Sequence, residues 1–198
     1  MPVDKTLLEE LFSADDDDYL PGYTRLLAEK ILAEDPNHFQ ALLIYSRCLV
    51  SLGQYNDSEK ALDHAEKIGA NKLHLVLAYK AKLYERMGEL ETAAEMYLKA
   101  HKLVPNDATY LIYLASIIFA IGDVPKAEKI AREAIECSDG CIDEAYYNLA
   151  GYLLCQRRYD EALIYYEKAL SIDPDFDLVK RRLVDLEKIK ILQDEPAG

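Results

Sequence analysis

The side chains of this chain that could do chemistry are four histidines, four cysteines and a large surplus of carboxylates. His38, His64, His74 and His101 are scattered, and none has a Cys or a carboxylate at the spacing of a nucleophile–base pair. His64 and His74 are placed to meet across a helix junction, but two ligands make a poor metal site. Cys137 and Cys141 stand four apart, yet no second close pair completes the four ligands of a zinc centre. Cys48 and Cys155 fall within helical patterns, where a free thiol behaves as a small hydrophobe. There is no Gly-rich phosphate loop, no HExxH and no GxSxG. The expectation is a non-enzymatic protein with no catalytic residues, no metal and no cofactor, its thiols reduced.

Composition points the same way. A formal charge of -13 disfavours nucleic acid, whose binding needs cations to displace phosphate counterions. No apolar run approaches the roughly 18 residues that span a bilayer, and Met1-Pro2-Val3-Asp4-Lys5 lacks the basic start and apolar stretch of a signal peptide. These features lead us to expect a cytoplasmic protein without membrane insertion.

The elements that position any functional surface are set by a recurring phrase. Leu52-Gly53-Gln54-Tyr55, Met87-Gly88-Glu89-Leu90, Ile121-Gly122-Asp123-Val124 and Arg157-Arg158-Tyr159-Asp160 mark units that begin at Phe39, His74, Ala108 and Asp143, with steps of 35, 34 and 35 residues. A period of this size marks stacked supersecondary units rather than a globule with one centre. Each unit reads as two amphipathic helices joined by the turn; in the second they run from about Leu75 to Met87 and from about Glu91 to Leu103. Gly88 suits the left-handed end of a helix, and Pro36, Pro105 and Pro174 stop second helices. Small residues recur at position 8 (Ser46, Ala81, Ala115, Ala150), position 20 (Ser58, Ala93, Ala127, Ala162) and position 27 (Ala65, Ala100, Ala134, Ala169), where they let helix axes cross closely.

This pattern resembles the tetratricopeptide repeat, with its large residue at position 4, small ones at 8, 20 and 27, aromatics at 17 and 24 and proline at 32. The best copy is Tyr146…Leu149-Ala150…Tyr159-Asp160-Glu161-Ala162…Tyr166…Ala169…Pro174. The departures are local: Arg157 replaces the turn glycine, Lys80 occupies a usually apolar position, and Ala70 and Asp139 replace prolines. The resemblance implies an all-α fold, a right-handed superhelical solenoid of antiparallel helix pairs. Its expected parts are a degenerate repeat or cap over 1–38, repeats over 39–73, 74–107, 108–142 and 143–176, a capping helix over 177–193 and a tail over 194–198, in one continuous domain. Asp15 to Asp18 are expected in a loop between the first two helices.

In such a stack the first helices line the concave side, which is the expected site of a protein or peptide ligand. The candidate partner-binding residues are Leu43, Arg47, Lys82 and Arg86 in the first two repeats, and Ile112, Ser116, Phe119, Tyr147, Gly151 and Leu154 in the last two. The first set supplies positive charge and the second an apolar surface, with Gly151 leaving room for a ligand's backbone. Phe119→Asp or Tyr147→Ala is expected to abolish partner capture while leaving helicity and melting nearly unchanged. The tail-carboxylate clamp of the family's chaperone-binding members is matched at only two of five positions, Asn148 and Arg182, in the better frame. The leading expectation is therefore an interaction scaffold or adaptor. The alternatives are an export-type chaperone that sequesters hydrophobic segments and a homo-oligomer built through the terminal helices.

Overall fold

The structure is a computed structural model and describes residues 5–16 and 20–194; of residues 15, 16, 190, 193 and 194 only the backbone is described. Two compact units make up the chain, one ending at Leu103 and the other starting at Val104. The first holds α1 (Lys5–Asp16), α2 (Pro21–Glu34), α3 (Phe39–Ser51), α4 (Tyr55–Ile68), α5 (Leu73–Met87) and α6 (Leu90–Leu103). The second holds α7 (Thr109–Ile121), α8 (Val124–Ala134), α9 (Ile142–Cys155), α10 (Tyr159–Ile172) and α11 (Asp177–Asp194). Within each unit, helices that follow one another in sequence pack side by side, and first helices also touch first helices, α3 on α5 and α7 on α9.

The small residues do what their spacing implies. All twelve at positions 8, 20 and 27 are at most 1% exposed, so each removes a side chain from a helix crossing where bulk would push the axes apart. Where serine stands in for alanine, the buried hydroxyl is satisfied by backbone: Ser46 Oγ donates to the Leu43 carbonyl at 2.7 Å, and Ser58 Oγ to the Ser46 carbonyl at 3.0 Å. The position-24 aromatics Tyr97 and Tyr166 fill the remaining space and are buried. Pro21 and Pro125 sit in the opening turns of α2 and α8, where a missing N–H costs nothing.

Each departure from the repeat pattern has a local solution. Arg157 adopts φ 60°, in the same left-handed region as Gly122 at 97°. The Arg158 N–H donates to the Leu153 carbonyl at 3.0 Å, as Asp123 does to Ile118 at 3.2 Å, so the fourth turn keeps its shape without glycine. At Ala70, a 3₁₀ turn over Ala70–Lys72 runs into α5, which starts at Leu73, two residues earlier than its pattern suggests. At Asp139, the loop after α8 docks on the start of α7: the Ala108 N–H donates to the Asp139 carbonyl at 2.9 Å, and the Asp139 N–H to the Asn106 carbonyl at 3.0 Å. Gly140 (φ 90°) permits that docking, because a Cβ there would lie 2.6 Å from Asp107 Oδ1 and 3.0 Å from the Ala108 nitrogen.

One expectation about the N-terminus is corrected. Asp15 and Asp16 belong to α1 rather than to a loop, because the helical pattern of Leu7, Leu8 and Leu11 carries on for another turn. Asp17 and Asp18, the segment 1–4 and residues 195–198 lie outside the described residues.

A groove on the second unit

Position along a repeat fixes which side chains of α7 and α9 can face open space, and the second unit uses those positions to build a groove. Ser116 and Phe119 from α7, Tyr147, Asn148, Gly151, Tyr152, Leu154 and Cys155 from α9, Tyr166 from α10 and Arg182 from α11 line a space of about 310 Å³. Five of the ten expected binding residues are in this one place: Ser116, Phe119, Tyr147, Gly151 and Leu154.

Aromatic contacts hold the walls. The rings of Phe119 and Tyr152 lie 5.0 Å apart between centroids, and Tyr147 sits 5.9 Å from Tyr166 and 5.3 Å from Phe176. Such tilted pairs add stability beyond the area they bury, so these rings are pre-organised before any ligand arrives. The Arg182 guanidinium donates to the Tyr147 hydroxyl, which fixes a positive charge at the rim. Burial, with Tyr147 beside it, pushes the Tyr166 phenol up to about 12 against the pull of Arg182, so the floor is neutral at physiological pH. Burial also raises the Tyr152 phenol. A Cβ at Gly151 would meet nothing within 4 Å, so the groove is open there to an incoming side chain or backbone.

Two of the expected lining residues are corrected. Leu43 and Ile112, both at position 5, are 4% and 2% exposed and pack into the cores of their units. Position 5 lies on the border between the packed and open stripes of the first helix, and a wholly apolar side chain turns inward there. Tyr147 occupies the same position but carries a hydroxyl, which reaches out to Arg182. Arg47, Lys82 and Arg86 lie in the first unit, and all three are exposed. The Lys82 ammonium pairs with Glu85 at 2.9 Å. Five lining residues were absent from the expected set, Cys155 at position 13 of its repeat among them. Asn148 and Arg182 share position 6 of their units, a signal the sequence carries, whereas Tyr152 and Tyr166 reach the groove from positions that read as core.

Two of the histidines make local structural contacts. His38 caps α3, its Nδ1 accepting from the Ala41 N–H at 3.2 Å. His64 pairs with Asn37 Oδ1 at 2.8 Å. All four cysteines are free thiols, and burial pushes the Cys48, Cys137 and Cys141 thiols up. Among the described residues, no group of three or more His, Cys, Asp or Glu is placed to hold a metal ion, and no helix is long and apolar enough to cross a membrane.

Helix pairs of this length, crossing on buried small residues and separated by tight left-handed turns, define a helical-repeat protein. Family models for the tetratricopeptide repeat match residues 25–83, 74–117 and 143–176, and the chain belongs to that family. Among solved structures it is similar to TTC0263, a thermophilic repeat protein of Thermus thermophilus, with a TM-score of 0.75 and 21% identity over 92% of this chain and 97% of that one. It is also similar to the first repeat domain of Spaghetti (RPAP3) bound to an HSP90 peptide, with a TM-score of 0.56 and 21% identity over 61% of this chain and 94% of that one. Among curated proteins it is 23% identical over 170 residues to the human protein O-mannosyl-transferase TMTC1, a match covering 82% of this chain and 19% of that protein. The chain thus spans less than a fifth of that relative's length. Tetratricopeptide-repeat proteins are in general non-catalytic scaffolds, and the fold supports that role here.

Proposed function

We propose that this protein is a non-enzymatic interaction module that holds a segment of a partner protein in the groove of its second unit. The observation that carries the reading is the open floor at Gly151, walled by Phe119, Tyr147 and Leu154. An apolar, aromatic-walled concavity with a few polar groups at its edge is the usual form of a peptide site. Rigid aromatic walls and a rim arginine are also the residue types that dominate interface energetics. The solved relative with an HSP90 peptide supports a peptide as the kind of occupant. The net charge of -13 favours a protein over a nucleic acid as the occupant, and we propose the cytoplasm as the module's location.

Filling the groove tests this reading without harming the fold. Gly151→Leu puts a side chain into open space and improves the helix propensity of α9 by up to about 1 kcal/mol. Affinity capture from the native cell should recover partners with the wild type that both Gly151→Leu and Phe119→Asp lose. Equal recovery by a well-folded Gly151→Leu protein would place binding elsewhere.

A further inference from the structure

We infer that Glu144 forms a subsite for a basic side chain at one end of this groove, so that the segment it takes carries a Lys or Arg beyond its apolar anchor. The inference rests on the groove being the binding site and adds the chemistry of the occupant.

Glu144 stands in the first turn of α9, four residues before Asn148, eight before Tyr152 and eleven before Cys155. At 100° per residue those side chains share one face of the helix, so Glu144 continues the groove-lining stripe by one turn, about 6 Å. Its charge is felt at Tyr152, on the groove wall itself. Glu144 is half-buried, and burial, with Asp143 next to it, pushes its carboxyl up. No cation offsets that cost among the described residues: the charge acting most directly on Glu144 is another carboxylate. Asp143 alone would serve the positive end of the α9 dipole, so capping does not account for a second, costly acid beside it. A cationic side chain arriving from a ligand would remove the penalty that the folded protein carries in its absence.

The groove also carries a positive charge at its rim. Arg182 is fixed there by Tyr147, and its nearest carboxylate, Asp185, is 3.9 Å away. The acidity of the whole protein adds a long-range attraction for a basic partner.

A random peptide library displayed on phage, selected against the full chain, tests this. Wild type, Gly151→Leu, Glu144→Lys and Glu144→Asp would be used in parallel, with thermal melting to show that each is folded. Peptides recovered by wild type and lost by Gly151→Leu are groove ligands. These should be enriched in Lys or Arg at a fixed spacing from an aromatic or aliphatic residue. The basic enrichment should vanish with Glu144→Lys and persist with Glu144→Asp, and a selected peptide should lose about tenfold in affinity with Glu144→Lys. Groove ligands without basic enrichment, or with enrichment that Glu144→Lys leaves untouched, would overturn the subsite while leaving the groove reading intact. Recovery of no peptide sensitive to Gly151→Leu would overturn both.

Discussion

The ammonium of Lys80 on α5 lies 2.6 Å from the carboxylate of Glu66 on α4, and it also reaches Asp63 at 2.7 Å. A lysine at a position that repeats of this kind give to apolar residues thus bridges one helix pair to the next. Its stem lies along the packed face and its charge ends between two acids, with the side chain only 16% exposed. Burial works against the charge, but hydrogen bonds to Asp63 and Glu66 outweigh it and hold the ammonium above its ordinary range.

Truncation should separate the two contributions. Lys80→Ala loses stem and charge and should lower the stability of the first unit by about 1–2 kcal/mol. Lys80→Met keeps the stem and should stay within about 1 kcal/mol of wild type, because both acids are exposed enough to regain water. Urea unfolding at low and high salt checks this, and the gap between wild type and Lys80→Met should narrow as salt screens the pairs.

Arg157 offers a gain in stability. A left-handed residue with a Cβ costs roughly 1–2 kcal/mol, a cost that Gly53, Gly88 and Gly122 avoid at the same turn. Arg157→Gly removes it at the expense of some added freedom in the unfolded chain, about 0.4–1 kcal/mol. The net effect should be stabilisation by about 0.5–1 kcal/mol. Calorimetry should show a raised melting temperature for Arg157→Gly and a lowered one for Arg157→Val, whose branched side chain resists positive φ more strongly.

The periodic features were the legible ones. Helix pairs and crossing points follow from small residues at the same three positions of every repeat, a signal that survives the loss of a glycine at Arg157 or of a proline at Asp139. The groove was half legible. Phe119, Tyr147, Gly151 and Leu154 were read from position alone, but the direction in which a side chain turns at the border of two stripes depends on its neighbours in space. Leu43 and Ile112 turned inward for that reason. Tyr152 and Tyr166 entered the groove because a long aromatic can be buried at its base while its edge still forms a wall, which a pattern of positions does not encode.

Acid should loosen the second unit through Glu128. Burial on its own would raise this carboxyl. Hydrogen bonds from Gln156 at 2.7 Å, from Arg132 at 2.9 Å and from Arg158 at 2.8 Å outweigh that and hold it below the ordinary value. A lowered carboxyl binds its proton less readily folded than unfolded. Its stabilisation is therefore complete above the unfolded value of about 4.3 and is lost as pH falls through the folded one. Melting temperatures measured from neutral pH down to about pH 3 should fall more steeply for wild type than for Glu128→Gln. At pH 7 the variant should be less stable by about 1–3 kcal/mol, since two guanidinium groups lose a shared acceptor.

Tyr147 joins the groove to the core beneath it, which changes what its substitution does. Its ring packs against Tyr166 and Phe176, so Tyr147→Ala leaves a hole between helices rather than a merely blunted surface. The expectation of unchanged melting is corrected accordingly: the alanine variant should lose about 2–4 kcal/mol, less than a fully buried aromatic because this ring is only half-buried. Tyr147→Phe keeps the ring contacts and removes only the acceptor of Arg182, and should stay within about 1 kcal/mol of wild type. With the ring in place and the rim charge released, groove ligands should still bind Tyr147→Phe, with an affinity reduced by less than about tenfold. Urea unfolding of the three proteins, together with titration of one groove-dependent peptide, checks both statements. Melting of Tyr147→Ala at the wild-type temperature would show that the ring contributes to the surface alone.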